Sequence, residues 1–456
     1  MSRSFWVAAL MASSLALPSA AQAATDAELA EIREQIKAMK ENYEARIRAL
    51  EERLKAAESA PAVVDAPPSA PAASSGAAAS TLAAFNPAIS VVLQGGYADL
   101  SQSPTQFGIN RIQTGEDVGP GPRNFSLGES EVSFYGNVDD KFAGALTLSL
   151  TPQNTVEVEE AYGLLTALPY GVVPKFGRFF SGIGYLNEQH QHVWDFKDAP
   201  LAYQAFLAGQ YTQDGGQVKW VAPTDTFLEF GAEIGNGDSF PGSSRNSNSL
   251  GAASVFAHAG DDIGANANWR AGLSYLETHA ADRQATLPDT AGNLAQVSFA
   301  GTSHVAIADF VWKYAPTGNS TDTNVKVQGE YFWRRESGTL TYDSNGALGL
   351  TQAGAYSSTQ SGWYLQGIWQ FMPRWRVGLR YDSLDPGDPD YGINNAILAT
   401  PPSHPNKATV MFDYTPSEFS RFRIQYAQSK TRPEMTDNQF FLQYILTLGA
   451  HPAHKF

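Results

Sequence analysis

The chain has 456 residues, a formal net charge of −15 and no cysteine. Without cysteine, disulfide scaffolds, Cys-ligated zinc and thiol nucleophiles are excluded. The acidic balance argues against a nucleic acid partner, because neutralising phosphates takes clustered Lys and Arg. Aromatic residues make up 12% of the chain and short apolar runs recur along it, which is typical of a protein with many half-buried strands.

Residues 1–23 have the pattern of a secretory signal peptide. Arg3 supplies a positive start, an apolar stretch runs from Phe5 to Leu17, and residues 21–23 read Ala-Gln-Ala, a small-residue cleavage site. A membrane anchor is the alternative, but the apolar stretch is too short to span a bilayer comfortably. We therefore predict that the protein is exported.

Residues 26–58 are dense in Ala, Glu, Lys and Arg and predict one amphipathic helix. Its apolar residues recur at steps of three and four, with one inserted step near Tyr43. Because such a helix is marginal alone, the narrow seam favours a coiled coil over a single solvated helix, which is the alternative. Ile32 and Ile36 at successive seam positions favour a trimer. The Ala- and Pro-rich residues 59–84 predict a flexible linker.

From Phe85 onward the period of the apolar residues changes to two, which indicates β-strands with one apolar face. We count about sixteen such segments in 85–456. Short turns with Pro or Gly alternate with long polar connections, among which we place 278–301 and 337–359. This predicts an all-β transmembrane barrel of antiparallel strands; a soluble sandwich or propeller is the alternative. Alternation is weaker in four segments: 129–138, 156–166, 172–180 and 302–314.

Two stretches carry a family resemblance. They are Val173-Pro-Lys-Phe-Gly-Arg-Phe-Phe and Tyr314-Ala-Pro-Thr-Gly-Asn, the latter followed by Lys326-Val-Gln-Gly-Glu-Tyr-Phe. Residues 85–456 resemble the phosphate-selective porin superfamily on these patterns. The whole arrangement is similar to the trimeric, coiled-coil-bearing porins of Gram-negative bacteria, some parts of which also occur in sucrose porins and relatives of maltoporin.

The resemblance implies a homotrimer in the outer membrane, surrounded by its lipid, with the N-terminal helix in the periplasm. It also implies recognition by the barrel assembly machinery through the C-terminal strand and Phe456, which keeps the parity of the outward residues of that strand. Anion selectivity in the family comes from ladders of Arg and Lys. Residues 85–456 instead hold 36 acidic and 23 basic residues, so we do not carry phosphate selectivity over.

The connection at 181–212 is the candidate constriction, because the third loop of porins commonly folds into the lumen and this one is rich in aromatic residues. We predict that Glu188, His190, His192 and Asp195 line the narrowest point. Imidazole and carboxylate suit zinc, so His190 and His192 are candidate metal ligands for a divalent cation. A polar loop with two incidental histidines is the alternative.

Charged residues on the polar face of several strands are further candidates for the pore lining. On the strands near 374–383 and 419–429 we expect one basic wall opposite an acidic loop, which gives weak selectivity that tilts towards cations at low salt. The candidates are Lys219, Arg270, Lys326, Glu330, Arg376, Arg380, Arg421 and Arg423.

The function that these features predict is a porin for passive diffusion of small hydrophilic solutes or ions. One alternative is a substrate-specific channel for a divalent metal such as zinc, or for a sugar. Another is a structural envelope protein with a closed barrel. Neither a G-x-S-x-G elbow nor an H-E-x-x-H helix occurs in the sequence, so we expect no enzymatic activity, and no cofactor beyond a bound cation.

Overall fold

The computed structural model describes residues 87–115, 118–151 and 154–449. The signal peptide, helix and linker predicted within 1–84 lie outside these residues, as does Phe456, so they stay predictions. Among the residues described, no helix is both long and apolar enough to cross a membrane.

Sixteen antiparallel strands form one closed barrel in the described part of the chain. Each strand pairs with the next, and β1 pairs with β16 from Ser90 opposite Gly449 to Leu100 opposite Gln439. The strands are β1 (Ala88–Leu100), β2 (Asn124–Leu127 and Ser130–Asn137), β3 (Phe142–Leu150), β4 (Val156–Leu165), β5 (Val172–Phe180), β6 (Thr212–Val221), β7 (Phe227–Gly235), β8 (Ala252–Ile263), β9 (Ala267–Pro288), β10 (Leu294–Tyr314), β11 (Asn324–Tyr342), β12 (Gln352–Met372), β13 (Trp375–Asp385), β14 (Asn406–Ser417), β15 (Ser420–Arg432) and β16 (Met435–Gly449).

The predicted alternation separates an apolar outside from a polar inside. On β11, Glu330 and Arg334 face the lumen and are buried, whereas Tyr331 and Trp333 are 49% and 37% exposed on the outer surface. Because neighbouring strands keep the same alternation, the barrel has an apolar outer belt, as expected of strands that contact lipid. Members of this belt include Leu273, Phe310, Trp363, Leu365, Trp369, Leu379, Phe412, Ile424 and Leu442.

Short turns lie at one edge of the barrel and long loops at the other, which we call the outer edge. The turns range from two residues, at 373–374, to nine, at 315–323. At the outer edge, loop 1 (101–123), loop 3 (181–211) and loop 7 (386–405) are the connections that bear on the lumen. Consecutive strands therefore run alternately up and down around the barrel, as the sequence predicts.

Two connections predicted as loops are largely strand, so that prediction is wrong. Most of 278–301 belongs to β9 and β10, and most of 337–359 to β11 and β12. These hairpins extend because their inner face is apolar and packs against loop 7, including its short helix α2 (Asn395–Leu398). The polar outer face of the same segments gives the sequence its loop-like composition. The core that they share includes Leu287, Val297, Phe299, Leu340, Tyr342, Tyr356, Tyr391 and Leu398.

Candidate functional site

Loop 3 folds into the barrel and forms a core with the lumen wall. Its helix α1 (Leu201–Leu207) is buried at every residue and packs against β11, β12 and β13. The ring of Tyr203 meets that of Phe332 edge-on with centroids 4.9 Å apart, and Phe206 stacks on Phe332 at 6.1 Å. Since Phe332 is an inward residue of β11, the aromatic side chains of the loop replace water inside the lumen.

The carboxylate of Glu330 on β11 anchors the start of loop 3. It accepts hydrogen bonds from the backbone amides of Tyr185 and Leu186, both at 3.1 Å. The hydroxyl groups of Tyr203 and Tyr364 donate to it at 2.9 and 2.6 Å. Glu330 is only 3% exposed, so this candidate for the pore lining lies beneath the loop and holds it in place.

Gly184 allows the loop to approach this carboxylate. Its φ is +67°, a conformation that side chains disfavour. A Cβ atom at this position would lie 2.5 Å from Glu330 Oε2 and 2.8 Å from the hydroxyl oxygen of Tyr203. Both the backbone conformation and the close approach therefore require glycine here.

The predicted basic wall is interrupted by carboxylates of its own strands. Asp413 on β14 lies between Arg376 on β13 and Arg423 on β15; it pairs with both, at 2.8 Å from Arg423 Nε. Arg380 pairs with Asp382 at 3.0 Å. The expectation of a wall of one sign is therefore wrong, because inward acidic residues on the same strands alternate with the guanidinium groups.

Arg421, the fourth residue of the expected wall, binds the backbone of loop 3. Its Nη1 donates to the carbonyl oxygens of His192 and Trp194 at 3.3 and 3.1 Å. Arg423 also donates to the carbonyl oxygen of Trp194, at 2.9 Å. These two arginines position the loop rather than face an open channel.

Two carboxylates of loop 3 complete the neutralisation of the wall. Asp195 lies 2.9 Å from Lys326 Nζ and 3.1 Å from Arg376 Nη1, and Asp198 lies 2.5 Å from Lys407 Nζ. Burial alone would raise the pKa of each aspartate, but the neighbouring cations outweigh it and hold both pKa values well below the ordinary range. Both side chains are therefore charged and fasten this side of the loop.

Glu188 contacts a different part of the wall, on β6. Its carboxylate lies 2.5 Å from Lys219 Nζ, which is also 3.8 Å from Glu229. On β9, Arg270 lies 3.5 Å from Asp309. The pair of Glu188 and Lys219 lies away from the strands that bind Asp195 and Asp198, whereas Arg270 and Asp309 lie on the two strands before β11.

His190 and His192 face a third part of the wall, formed by β2 and β4. His192 Nδ1 lies 2.9 Å from Glu131 Oε1. His190 Nδ1 lies 3.3 Å from both Glu131 Oε2 and Glu159 Oε2, and its Nε2 lies 3.1 Å from Glu160 Oε2. Burial of the ring would lower the pKa of His190, but the three surrounding carboxylates outweigh it and raise the pKa well above its usual value.

The four loop residues predicted to line one constriction thus point in three directions. Glu188 reaches β6, the two histidines reach β2 and β4, and Asp195 reaches β11 and β13. Loop 3 therefore spans the lumen and is fastened on several sides. Whether a solute passes closest to these four residues stays a prediction.

A β-bulge explains why two successive glutamates reach His190. Strands β3 and β4 pair Thr147 with Glu160 and Leu148 with Val158, which leaves Glu159 as an extra residue in β4. A bulge re-aims the side chains next to it. The weak alternation of 156–166 in the sequence reflects this irregularity, and it is the sequence signal for a bulge near Glu159 and Glu160.

A cavity of about 740 Å³ lies on the side of loop 3 that faces the short turns. Its lining includes Tyr185 and Glu188 of the loop together with inward residues of β4 to β9. Five of its lining residues are acidic and three are basic. Among the acidic ones, Asp225, Asp261 and Asp262 lie at the turn ends of β6 to β9, so this mouth of the barrel carries negative charge.

Loop 1 covers part of the outer mouth, which the sequence analysis did not predict. The backbone carbonyl of Arg111 accepts a hydrogen bond from Gln360 at 2.9 Å, and the side chain of Arg111 donates to the carbonyl of Gly387 in loop 7 at 3.1 Å. Ile109 and Ile112 are 2% and 1% exposed. Loop 1 therefore lies above loop 3 and links the extended hairpins of β9 to β12 to loop 7.

These features define a class: a closed sixteen-strand barrel with an apolar outside and a charged lumen that a folded-in loop crosses. A protein of Aquifex aeolicus (strain VF5), described as "Uncharacterized protein", is 31% identical to this chain over 354 residues, which are 73% of this chain and 70% of the relative. The chain belongs to the same family as this Aquifex protein. No family model matches the chain.

Several solved structures are similar to the barrel at low identity. A loop L8 deletion mutant of OmpT, an outer membrane protein of Vibrio cholerae, has a TM-score of 0.48 at 13% identity, covering 80% of this chain and all of that one. The outer membrane channel DcaP of Acinetobacter baumannii has a TM-score of 0.45 at 14% identity, covering 79% and 96%. An anion-selective porin from Comamonas acidovorans has a TM-score of 0.44 at 8% identity, covering 79% and 98%.

Proposed function

We propose that the protein is an outer-membrane channel through which small hydrophilic solutes or ions diffuse past loop 3. The observation that carries the proposal is the charged lumen of a closed barrel whose outside is apolar. A barrel that contacts lipid with its outer face and water with its inner face is the arrangement of diffusion channels. The cavity of about 740 Å³ below loop 3 supplies the water-filled half of the path.

Recording in planar lipid bilayers tests this proposal. The folded protein is expected to produce discrete steps of current after insertion. A second candidate, a structural envelope protein with a closed barrel, is favoured by the way loops 1 and 3 fill the outer half of the lumen. Such a protein gives no current steps, so the same recording separates the two functions.

The distribution of charge supports weak cation selectivity. In the wall around Asp413, ion pairs cancel much of the field. Around the cavity, acidic residues outnumber basic ones by five to three. An acidic mouth attracts cations, and dissolved salt screens this attraction. The preference for cations is therefore expected to be largest at low ionic strength.

We further propose a homotrimer, held partly by the outer face of β5 and β6. Arg178 and Asp214 form an ion pair there at 2.6 Å, and their side chains are 43% and 39% exposed in the single chain. On the same face, Phe176 and Val218 are exposed apolar residues. An arginine facing lipid costs up to about 2–4 kcal/mol near the bilayer midplane, so contact with a second copy of the barrel is a more favourable environment for this pair.

A further inference from the structure

The cluster formed by loop 3 with β2 and β4 combines two imidazoles with several carboxylates in a buried place. Glu131 is 1% exposed and presents one carboxylate oxygen to each histidine, Oε1 to His192 Nδ1 at 2.9 Å and Oε2 to His190 Nδ1 at 3.3 Å. The potential ligand atoms of these three residues all lie within 4.8 Å of one another. They come from two distant parts of the sequence, which the fold brings together.

Three atoms in this cluster converge without a hydrogen bond. Within the part of the chain that the structure describes, Glu131 Oε2, Glu159 Oε2 and His190 Nδ1 are buried and have no hydrogen-bond partner. Both carboxylate oxygens lie 3.3 Å from the same imidazole nitrogen. Buried polar atoms are normally satisfied, and these three contact one another only as ion pairs of 3.3 Å, so a cation between them would give all three a stronger partner.

The spacing of 3.3 Å between His190 Nδ1 and each carboxylate oxygen is that of neighbouring ligands around a small divalent cation. Zinc binds imidazole nitrogen and carboxylate oxygen at about 2.0–2.2 Å, which places neighbouring ligands of a tetrahedron about 3.3 Å apart. A mixed set of nitrogen and oxygen ligands suits zinc, whereas calcium and magnesium take oxygen ligands. The acidic groups around the histidines also supply the negative charge that a buried cation needs.

We propose that Glu131, His190 and His192 form a zinc-binding site that fastens loop 3 to β2. The carboxylate of Glu159 on β4 lies beside this set, 3.3 Å from His190 Nδ1, and adds negative charge next to the cation. Glu160 supports the site from outside, since its Oε1 accepts a hydrogen bond from the amide of Phe180 at 3.1 Å and its Oε2 lies 3.1 Å from His190 Nε2. Zinc thereby holds the loop on the side of the lumen opposite Asp195.

Zinc binding does not depend on whether the barrel conducts. The test therefore measures zinc binding to the full chain folded in detergent micelles. Zinc chloride alone is the probe in an isothermal titration at neutral pH, after treatment with a chelator. We expect one site per chain, with the affinity reduced at least tenfold in His192→Gln and in Glu131→Gln. His304→Gln is the control, because His304 lies 3.7 Å from Glu277 in a separate, more exposed histidine–carboxylate group.

Heat-modifiable migration on gels checks that each variant folds. If a variant does not fold, the titration of the native protein with zinc still tests the proposal. A native protein that binds no zinc would overturn the proposal and leave protonated His190 as the counter-ion of the carboxylates. Binding that survives in His192→Gln and Glu131→Gln but disappears in His304→Gln would also overturn it, because it would place the cation at the exposed group.

Discussion

The hydroxyl of Tyr203, in the helix of loop 3, donates a hydrogen bond of 2.9 Å to the buried carboxylate of Glu330 on β11. This contact joins a loop to a strand more than a hundred residues further along the chain. It holds the helix of the loop inside the lumen, against β11, β12 and β13. Loop 3 is therefore a part of the lumen wall as much as a connection between β5 and β6.

Replacement of Gly184 by alanine should loosen this anchor. The new Cβ atom would meet Glu330 Oε2 at 2.5 Å in addition to the strain of a positive φ, so we expect a lower unfolding temperature and a noisier open-channel current. Gly209→Ala is the matched control, since Gly209 has a φ of +95° with nothing within 4 Å of its Cβ position. It carries only the conformational cost, roughly 1–2 kcal/mol. Equal effects of the two substitutions would show that the contact with Glu330 does not matter.

The ion pairs of Asp195 and Asp198 should hold their side of loop 3 when the pH falls from 7 to 4. Because the pKa values of Asp195 and Asp198 are lowered by neighbouring cations, their ion pairs contribute fully above the ordinary aspartate pKa of 3.8 and are lost only as the pH falls through the lowered values. We expect the difference in unfolding free energy between the native protein and Asp198→Asn to stay constant down to pH 4. Asp198→Asn, which leaves Lys407 buried without its partner, should destabilise the protein by about 3–5 kcal/mol. A difference that already shrinks at pH 5 would contradict the assigned role of this aspartate.

Neutralising the acidic mouth should reduce the preference for cations. Asp261→Asn combined with Asp262→Asn removes two of the five acidic residues that line the cavity, so the reversal potential under a salt gradient should move towards zero. Glu418→Gln is the control, because Glu418 is an exposed residue of the turn between β14 and β15 and does not line this cavity. The same shift in the control would mean that surface charge in general, and not the cavity, sets selectivity.

The outward pair Arg178–Asp214 tests the proposed trimer. Arg178→Ala leaves Asp214 without its partner at 2.6 Å and removes a contact of the proposed interface, so the oligomer should dissociate at a lower temperature on unboiled gels. The apolar outward Leu379 on β13, which is 63% exposed, provides a control site as Leu379→Ala. If the Arg178→Ala oligomer dissociates at the same temperature as the native oligomer, the interface lies elsewhere. The same conclusion follows if both variants lower the dissociation temperature equally.

The strands follow from the sequence because a period of two is a local property. Tyr331 and Trp333 alternate with Glu330 and Arg334 in the sequence, and the barrel places the two sets on opposite sides. The upper parts of β9 to β12 were misjudged as loops because their second face packs on loop 7, which local polarity does not reveal.

The candidate site was predictable only in part, for a physical reason. His190 and His192 are visible as a pair in the loop sequence, but Glu131 is 59 residues before His190, and a bulge turns Glu159 towards them. Asp198 was likewise missed, because its pairing with Lys407 depends on how loop 3 docks, and Asp413 was missed because its pairing with Arg423 depends on the register of two neighbouring strands. Strand alternation fixes which side a residue faces; it does not fix which loop residue lies opposite.

Single-channel recording of the native protein in a planar bilayer shows directly whether the barrel conducts. Folding is confirmed beforehand by heat-modifiable migration, and insertion by protection of the membrane-spanning region from protease. We predict discrete current steps with a small preference for cations that shrinks as the salt concentration increases. Folded, inserted protein that gives no steps at any salt concentration would contradict the channel and leave a closed structural barrel.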